Sequence, residues 1–300
     1  MASDSPSDPS SAAGPLAEYF RVAEMLLATG DVEGAARALE QAGAEIIDLE
    51  SPAPKRRLAQ LMALLGDHRL AAGGPPAALE SFRAALSLSE AAAAGADDPD
   101  AARERAFLRY RIGTAELAMG RKDAALAQFQ RGCAEVAALS AADPESARLK
   151  RDLSASRSML GDALAELGRD EAALGEYGAA LGLARDVDGA ENAQPAAQAY
   201  MATLHRRLGG LFEKLGRPEE AVLATQTQAG ILESFRRVGA ATPEMLRELI
   251  DGYQRLARLS PQEARGPLAA ALEAAQSLPP PGDPGLVAEL RRRMEQKGAD

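Results

Sequence analysis

Glycine recurs in this chain at a fixed phase, and that recurrence limits the fold more than any other feature. Gly30, Gly73, Gly120, Gly168 and Gly216 sit at one point of five similar stretches: VAEMLLATGDVEGAARAL, LGDHRLAAGGPPAALESF, IGTAELAMGRKDAALAQF, LGDALAELGRDEAALGEY and LGGLFEKLGRPEEAVLAT. Successive glycines stand 43, 47, 48 and 48 residues apart. A sixth, weaker unit, DGYQRLARLSPQEARGPL, follows with Ser260 near its turn. Self-similarity at a period of roughly 20–50 residues marks a repeat architecture, in which each unit buries its apolar face against its neighbours.

Each unit reads as helix, tight turn, helix. The turn glycine follows the first helix where a left-handed backbone is needed and only glycine adopts it cheaply. An acidic or Pro-Glu segment then opens the second helix, placing negative charge at its positive end. Asp98-Pro99, Asp143-Pro144 and Thr242-Pro243 are expected to cap the next first helices, and Ser260 to Glu263 reads as a capping box.

Four further glycines, Gly66, Gly113, Gly161 and Gly209, each lie seven residues before a turn glycine, inside a first helix. A glycine there costs about 1 kcal/mol relative to alanine. Its repetition predicts a neighbouring helix passing too close for a Cβ. The second helices repeat a small-to-large pattern in Ala78/Phe82, Ala125/Phe129 and Ala173/Tyr177, with Ala85 and Ala180 one turn further on.

Composition agrees with a helical core of small side chains. Apolar residues form 46% of the chain, aromatics only 4%, and tryptophan is absent. The net charge of −10 argues against a nucleic-acid surface, and the cluster Arg291-Arg292-Arg293 reads as helix-end charge. A single cysteine, Cys133, rules out an internal disulfide framework and reads as a small buried hydrophobe. No run approaches the roughly 18 apolar residues of a membrane span. The opening MASDSPSDPSSAAG lacks the basic and apolar regions of a signal peptide. The expectation is a cytoplasmic protein without membrane or nucleic-acid partners. Its expected divisions are a disordered tail over 1–14, a repeat array over 15–275, a Pro-rich linker over 276–284, and a capping helix with its tail over 285–300.

The run of leucine-glycine, turn glycine, alanine and aromatic resembles the tetratricopeptide repeat (TPR). The resemblance covers about residues 16 to 275 and is strongest in units two to five. Residues 143 to 186 look like a long-period bacterial variety often found C-terminal to Ser/Thr kinase domains. Two departures stand out. The usual repeat is about 34 residues long, and Arg69 and Glu116 occupy positions where the family carries a bulky apolar residue. The resemblance implies an all-α fold: an α-α superhelix, or TPR-like solenoid, of about six helix-turn-helix repeats plus a C-terminal capping helix. First helices would line a concave groove carrying Phe20, Glu24, Asp67, Phe107, Tyr110, Thr114, Asp162, Arg206, Glu213 and Tyr253. Phe107, Tyr110 and Tyr253 would be the anchors, since aromatic side chains dominate binding hot spots. The carboxylate clamp of the chaperone-tail-binding subclass needs Lys and Asn on the first helices. Only Arg206 is basic among these positions, so a segment carrying some basic residues fits better.

Chemistry is harder to find. His68 and His205 belong to the second and fifth units, and stacked repeats touch only their neighbours, so the two cannot share a metal or a proton relay. No P-loop, GxSxG elbow, HExxH, EF-hand loop or kinase signature occurs. The expectation is a non-enzymatic scaffold with no cofactor and no metal, binding a protein or peptide. A regulatory module of a bacterial Ser/Thr kinase system and a self-associating homo-oligomer are the alternatives.

Overall fold

The computed structural model of the chain describes residues 14–46, 51–93, 98–191, 194–280 and 282–296. The greater part of the expected N-terminal tail (residues 1–13), Pro281 of the linker and the last four residues lie outside these. Thirteen α-helices follow one another among the described residues: α1 Pro15–Thr29, α2 Val32–Ile46, α3 Pro52–Ala71, α4 Pro75–Ala92, α5 Pro99–Ala118, α6 Lys122–Ala142, α7 Ala147–Glu166, α8 Asp170–Glu191, α9 Pro195–Lys214, α10 Pro218–Arg237, α11 Pro243–Leu259, α12 Arg265–Gln276 and α13 Pro284–Gln296. They fall into two compact units, Met1–Pro144 with α1 to α6 and Glu145–Asp300 with α7 to α13. Within each unit consecutive helices pair as hairpins, and each hairpin packs on the next one in the chain.

The hairpin turns follow the glycines. Gly30, Gly73, Gly120, Gly168 and Gly216 all have φ between 69° and 82°. Each turn is closed by the same two backbone bonds. In the fourth, Gly168 N–H donates to the Ala165 carbonyl at 3.1 Å and Arg169 N–H to the Leu164 carbonyl at 2.8 Å. This satisfies helix-end carbonyls that would otherwise lack a donor.

Two of the four expected first-turn caps form. Asp98 accepts from the backbone of Asp100 and Ala101, and Thr242 accepts from Met245. The other two are corrections. Asp143 still donates its N–H to the Leu139 carbonyl at the end of α6, so it cannot open the next helix. Ser146 caps α7 instead, accepting from Leu149. Ser260 makes no side-chain cap, and residues Pro261–Glu263 form only a 3-10 turn. The reason is Pro267. In a helix begun at Pro261 it would stand in the interior without an N–H, whereas in α12, begun at Arg265, it falls in the first turn.

The interior glycines are notches for the second helix. A Cβ on Gly66 would lie 2.4 Å from the Phe82 ring, one on Gly161 2.7 Å from the Tyr177 ring, and one on Gly113 3.0 Å from Phe129. In the fifth hairpin the Gly209 notch faces the Thr225 hydroxyl at 3.0 Å. Each partner stands sixteen residues after its glycine. Ala78, Ala125, Ala173 and Ala221, one turn before each partner, are all fully buried. At the chain's end Leu290 of α13 is fully buried against the α11–α12 core, while Glu289, Arg291 and Arg292 face outward.

Polar groups inside the units have partners or pay for lacking them. The two residues that break the apolar pattern are both bonded: Glu116 takes Arg83 at 2.8 Å and Arg121 at 3.3 Å, and Arg69 donates to the Ser81 hydroxyl at 2.9 Å. His205 of α9 is buried, with the Arg185 Nη2 of α8 3.4 Å from its Nε2. A guanidinium only donates, so Nε2 accepts and Nδ1 carries the proton. Among the described residues that Nδ1 has no hydrogen-bond partner. Burial, and then the Arg185 charge, hold the His205 pKa below the ordinary histidine value.

Two outcomes are expected. Gly66→Ala and Gly161→Ala destabilise the protein by about 1–3 kcal/mol through overpacking, despite alanine's better helix propensity. Gly178→Ala and Gly182→Ala, at exposed α8 positions with open space around them, stabilise it by up to about 1 kcal/mol. Thermal melts followed by circular dichroism separate the two classes. For His205, the unfolded chain binds the proton more readily than the folded one. Its contribution to stability is therefore complete above about pH 6.5 and falls as the pH drops below that value. Melting temperatures at pH 7.5 and 5.5 should differ less in His205→Gln than in the wild type; an equal difference counts against this account.

Candidate functional site

In the first unit, α1, α3 and α5 carry six of the ten residues expected to line a groove. Phe20 is half-buried against the α1–α2–α3 core, and Phe107 is half-buried with the Arg103 guanidinium 5.0 Å from its ring centre. Thr114 is exposed and spends its hydroxyl on the Tyr110 carbonyl at 3.0 Å.

Tyr110 is a correction to the anchor assignment. It is only 3% exposed, and its ring packs 5.9 Å from that of Phe129. The room comes from Gly132 in α6, where a Cβ would stand 3.1 Å from the ring. The sequence held this signal: the equivalent second-helix positions in the neighbouring hairpins are Ala85 and Ala180. Where alanine gives way to glycine, the facing first-helix residue can be large and point inward.

The acids of this face are engaged within the protein. Glu24 of α1 pairs with Arg57 of α3, and Asp67 of α3 takes Arg111 Nε of α5 on both oxygens at 2.9 and 3.1 Å. Each pair joins one first helix to the next, so the charges act as rungs between hairpins. The side chains exposed beside them include two large apolar residues absent from the expected set, Met25 at 55% and Leu64 at 42%. Their positions follow an exposed helical stripe, which no apolar-periodicity argument selects.

The second unit repeats the arrangement on α7, α9 and α11. Asp162 follows the Gly161 notch and accepts the Tyr177 hydroxyl at 2.6 Å and Arg207 Nη2 at 2.8 Å. Arg207 also donates to Ser158 and lies 5.7 Å from the Tyr177 ring centre. Burial, and then the Asp162 carboxylate, push the Tyr177 pKa well above the usual tyrosine value, so its hydroxyl stays a donor. One level on, Arg206 reaches Glu248 at 3.7 Å, and Glu213 takes Arg255 at 3.2 Å and Arg258 at 3.6 Å. Tyr253 is half-buried against the α10–α12 core. Met159 of α7 is 40% exposed.

Asp67–Arg111 and Asp162–Arg207 occupy the same register. Each Asp follows its notch glycine directly, and each Arg precedes the next one by two residues. Among the described residues no group of three or more His, Cys, Asp or Glu side chains could hold a metal ion. His68 and His205 belong to different units. No helix among the described residues is long and apolar enough to cross a membrane.

No protein-family model and no curated protein matches the chain. Solved structures do. BtubC (BKLC) from P. vanneervenii is 18% identical, with 91% of this chain and 92% of that one aligned at a TM-score of 0.60. The apo form of RapI is 11% identical over 94% and 99%, at 0.56. The pilF protein of Pseudomonas aeruginosa is 18% identical over 93% and 97%, at 0.51. All three are TPR-containing proteins. Identities this low establish fold alone. The chain has the all-α, TPR-like solenoid fold of stacked helical hairpins.

Proposed function

We propose that the first-helix faces of this protein bind a protein segment, and that the protein acts as a non-enzymatic interaction scaffold. The observation that carries this reading is the separation of roles on those faces. The charged groups are tied helix to helix, where they hold the spacing of the repeats. Exposed apolar side chains stand among them: Met25, Leu64 and the edge of Phe107 in the first unit, Met159 and the edge of Tyr253 in the second. Scattered apolar residues are normal on a surface. Here they share faces on which Glu24, Asp67, Asp162 and Glu213 are neutralised by partners within the protein. A partner segment with apolar anchors therefore suits these faces better than one chosen for its basic charge.

Affinity capture from a native lysate, followed by titration of the captured protein, tests the reading. The variant Met25→Ser/Leu64→Ser/Phe107→Ala should lose affinity by about tenfold or more. Leu223→Ser, on α10 at 65% exposure, should bind as the wild type does. Equal binding by all three proteins would place the contact elsewhere.

The rungs make a separate prediction. Asp67→Asn should cost at most about 1 kcal/mol, and less in high salt, because both partners remain about two-fifths exposed. Asp162→Asn should cost about 1–3 kcal/mol, since it also weakens the acceptor of a buried tyrosine hydroxyl. Denaturant titrations at low and high salt measure both.

A further inference from the structure

The second unit contains a cavity of about 410 Å³ lined by α7, α8 and the beginning of α9. Its walls are mostly small and apolar: Ala155 from α7, Ala184 and Val187 from α8, Ala196 and Ala197 from α9. Side chains this short leave space that larger ones fill elsewhere. None of the candidate groove residues discussed above lines the cavity.

Its polar groups are few, and the innermost are already satisfied. The Ser154 hydroxyl donates to the Ala180 carbonyl at 2.7 Å. That hydroxyl has one proton, which leaves the 3.3 Å contact with the Tyr200 oxygen for the tyrosine O–H to donate. The inner wall therefore offers water few partners, and the exposed Arg151 and Gln194 complete the lining. The Tyr200 oxygen, having donated its proton, keeps the capacity to accept. The volume lies within the range of about 300–1,000 Å³ typical of small-molecule pockets, which are mostly apolar with a few polar groups to set orientation. One protein side chain would leave much of it empty.

We propose that this cavity is a binding site for a small uncharged molecule with an apolar body and one hydroxyl or N–H group. The apolar body lies against Ala155, Ala184, Val187 and Ala197, and the polar group donates to the Tyr200 oxygen. None of the exposed apolar residues assigned above to the protein-binding faces lines it, so the proposal does not rest on what those faces bind.

Two probes test it: N-phenyl-1-naphthylamine, a neutral fluorophore that brightens in apolar surroundings, and 1-octanol as competitor. The absence of tryptophan keeps background emission low. The full chain should bind the fluorophore saturably at one site, and 1-octanol should displace it. Ala155→Leu and Ala197→Leu, at half-buried positions on different helices, should each weaken both probes on the order of tenfold or more. Tyr200→Phe should weaken 1-octanol more than the fluorophore. On the wild type alone, 1-octanol should give intermolecular NOEs to the methyl groups of Ala155, Ala184, Val187 and Ala197. Absence of saturable binding, equal binding by the two leucine variants while their circular dichroism matches the wild type, or NOEs to methyl groups elsewhere would overturn the proposal and leave the cavity a packing void.

Discussion

The rest of this structure depends on a close approach between two helices in the second to fifth hairpins. An aromatic ring of the second helix lies across a glycine of the first, in the Gly66–Phe82, Gly113–Phe129 and Gly161–Tyr177 pairs. Interiors are packed as densely as organic crystals, so a missing methyl group on one side is a shape that something on the other side must fill. The ring fills it, and fully buried alanines bring the second helix near enough to do so. Four interior glycines tax helix stability. The return is a fixed depth of contact, which an all-aliphatic interface of Ala and Leu would specify poorly. Once that depth is set, the next first helix finds a defined shelf. The ion pairs between first helices then form in register.

Tyr177 links the two kinds of contact. Its ring occupies the notch at Gly161, its hydroxyl bonds to Asp162, and Asp162 holds Arg207 on the following first helix. In the preceding hairpin the ring belongs to Phe129, which has no hydroxyl, and the residue after the notch glycine is Thr114. The acid is present where it has a hydroxyl or an arginine to receive, as at Asp67 and Asp162.

Much of this was legible from the residues. Turn glycines, notch glycines and second-helix alanines are local signals, and each has one physical meaning at a given place in a helix. The misreadings came where two local signals competed. Asp143-Pro144 looks like a helix start, yet Asp143 is still inside the hydrogen-bond ladder of α6. Ser260 heads a capping sequence, yet Pro267 forbids a helix running through it. The surface was less legible because its partners are distant in the chain. Asp67 and Arg111 are 44 residues apart, and an acid on a helix face reads as solvated until the packing register of the neighbouring helix is known. Tyr110 was misplaced for the same reason: its inward turn depends on Gly132, a residue of another helix.

The spacing of the notch pairs also bears on how the chain reaches this state. Each ring and its glycine are sixteen residues apart in sequence, so the loop closed by their meeting is short and the entropy lost in closing it is small. Contacts between successive hairpins span only a few tens of residues more. A protein whose decisive contacts are this local has low contact order, and low contact order goes with rapid folding. Any hairpin that forms first can serve as the template on which its neighbour assembles, so the array has several places to begin.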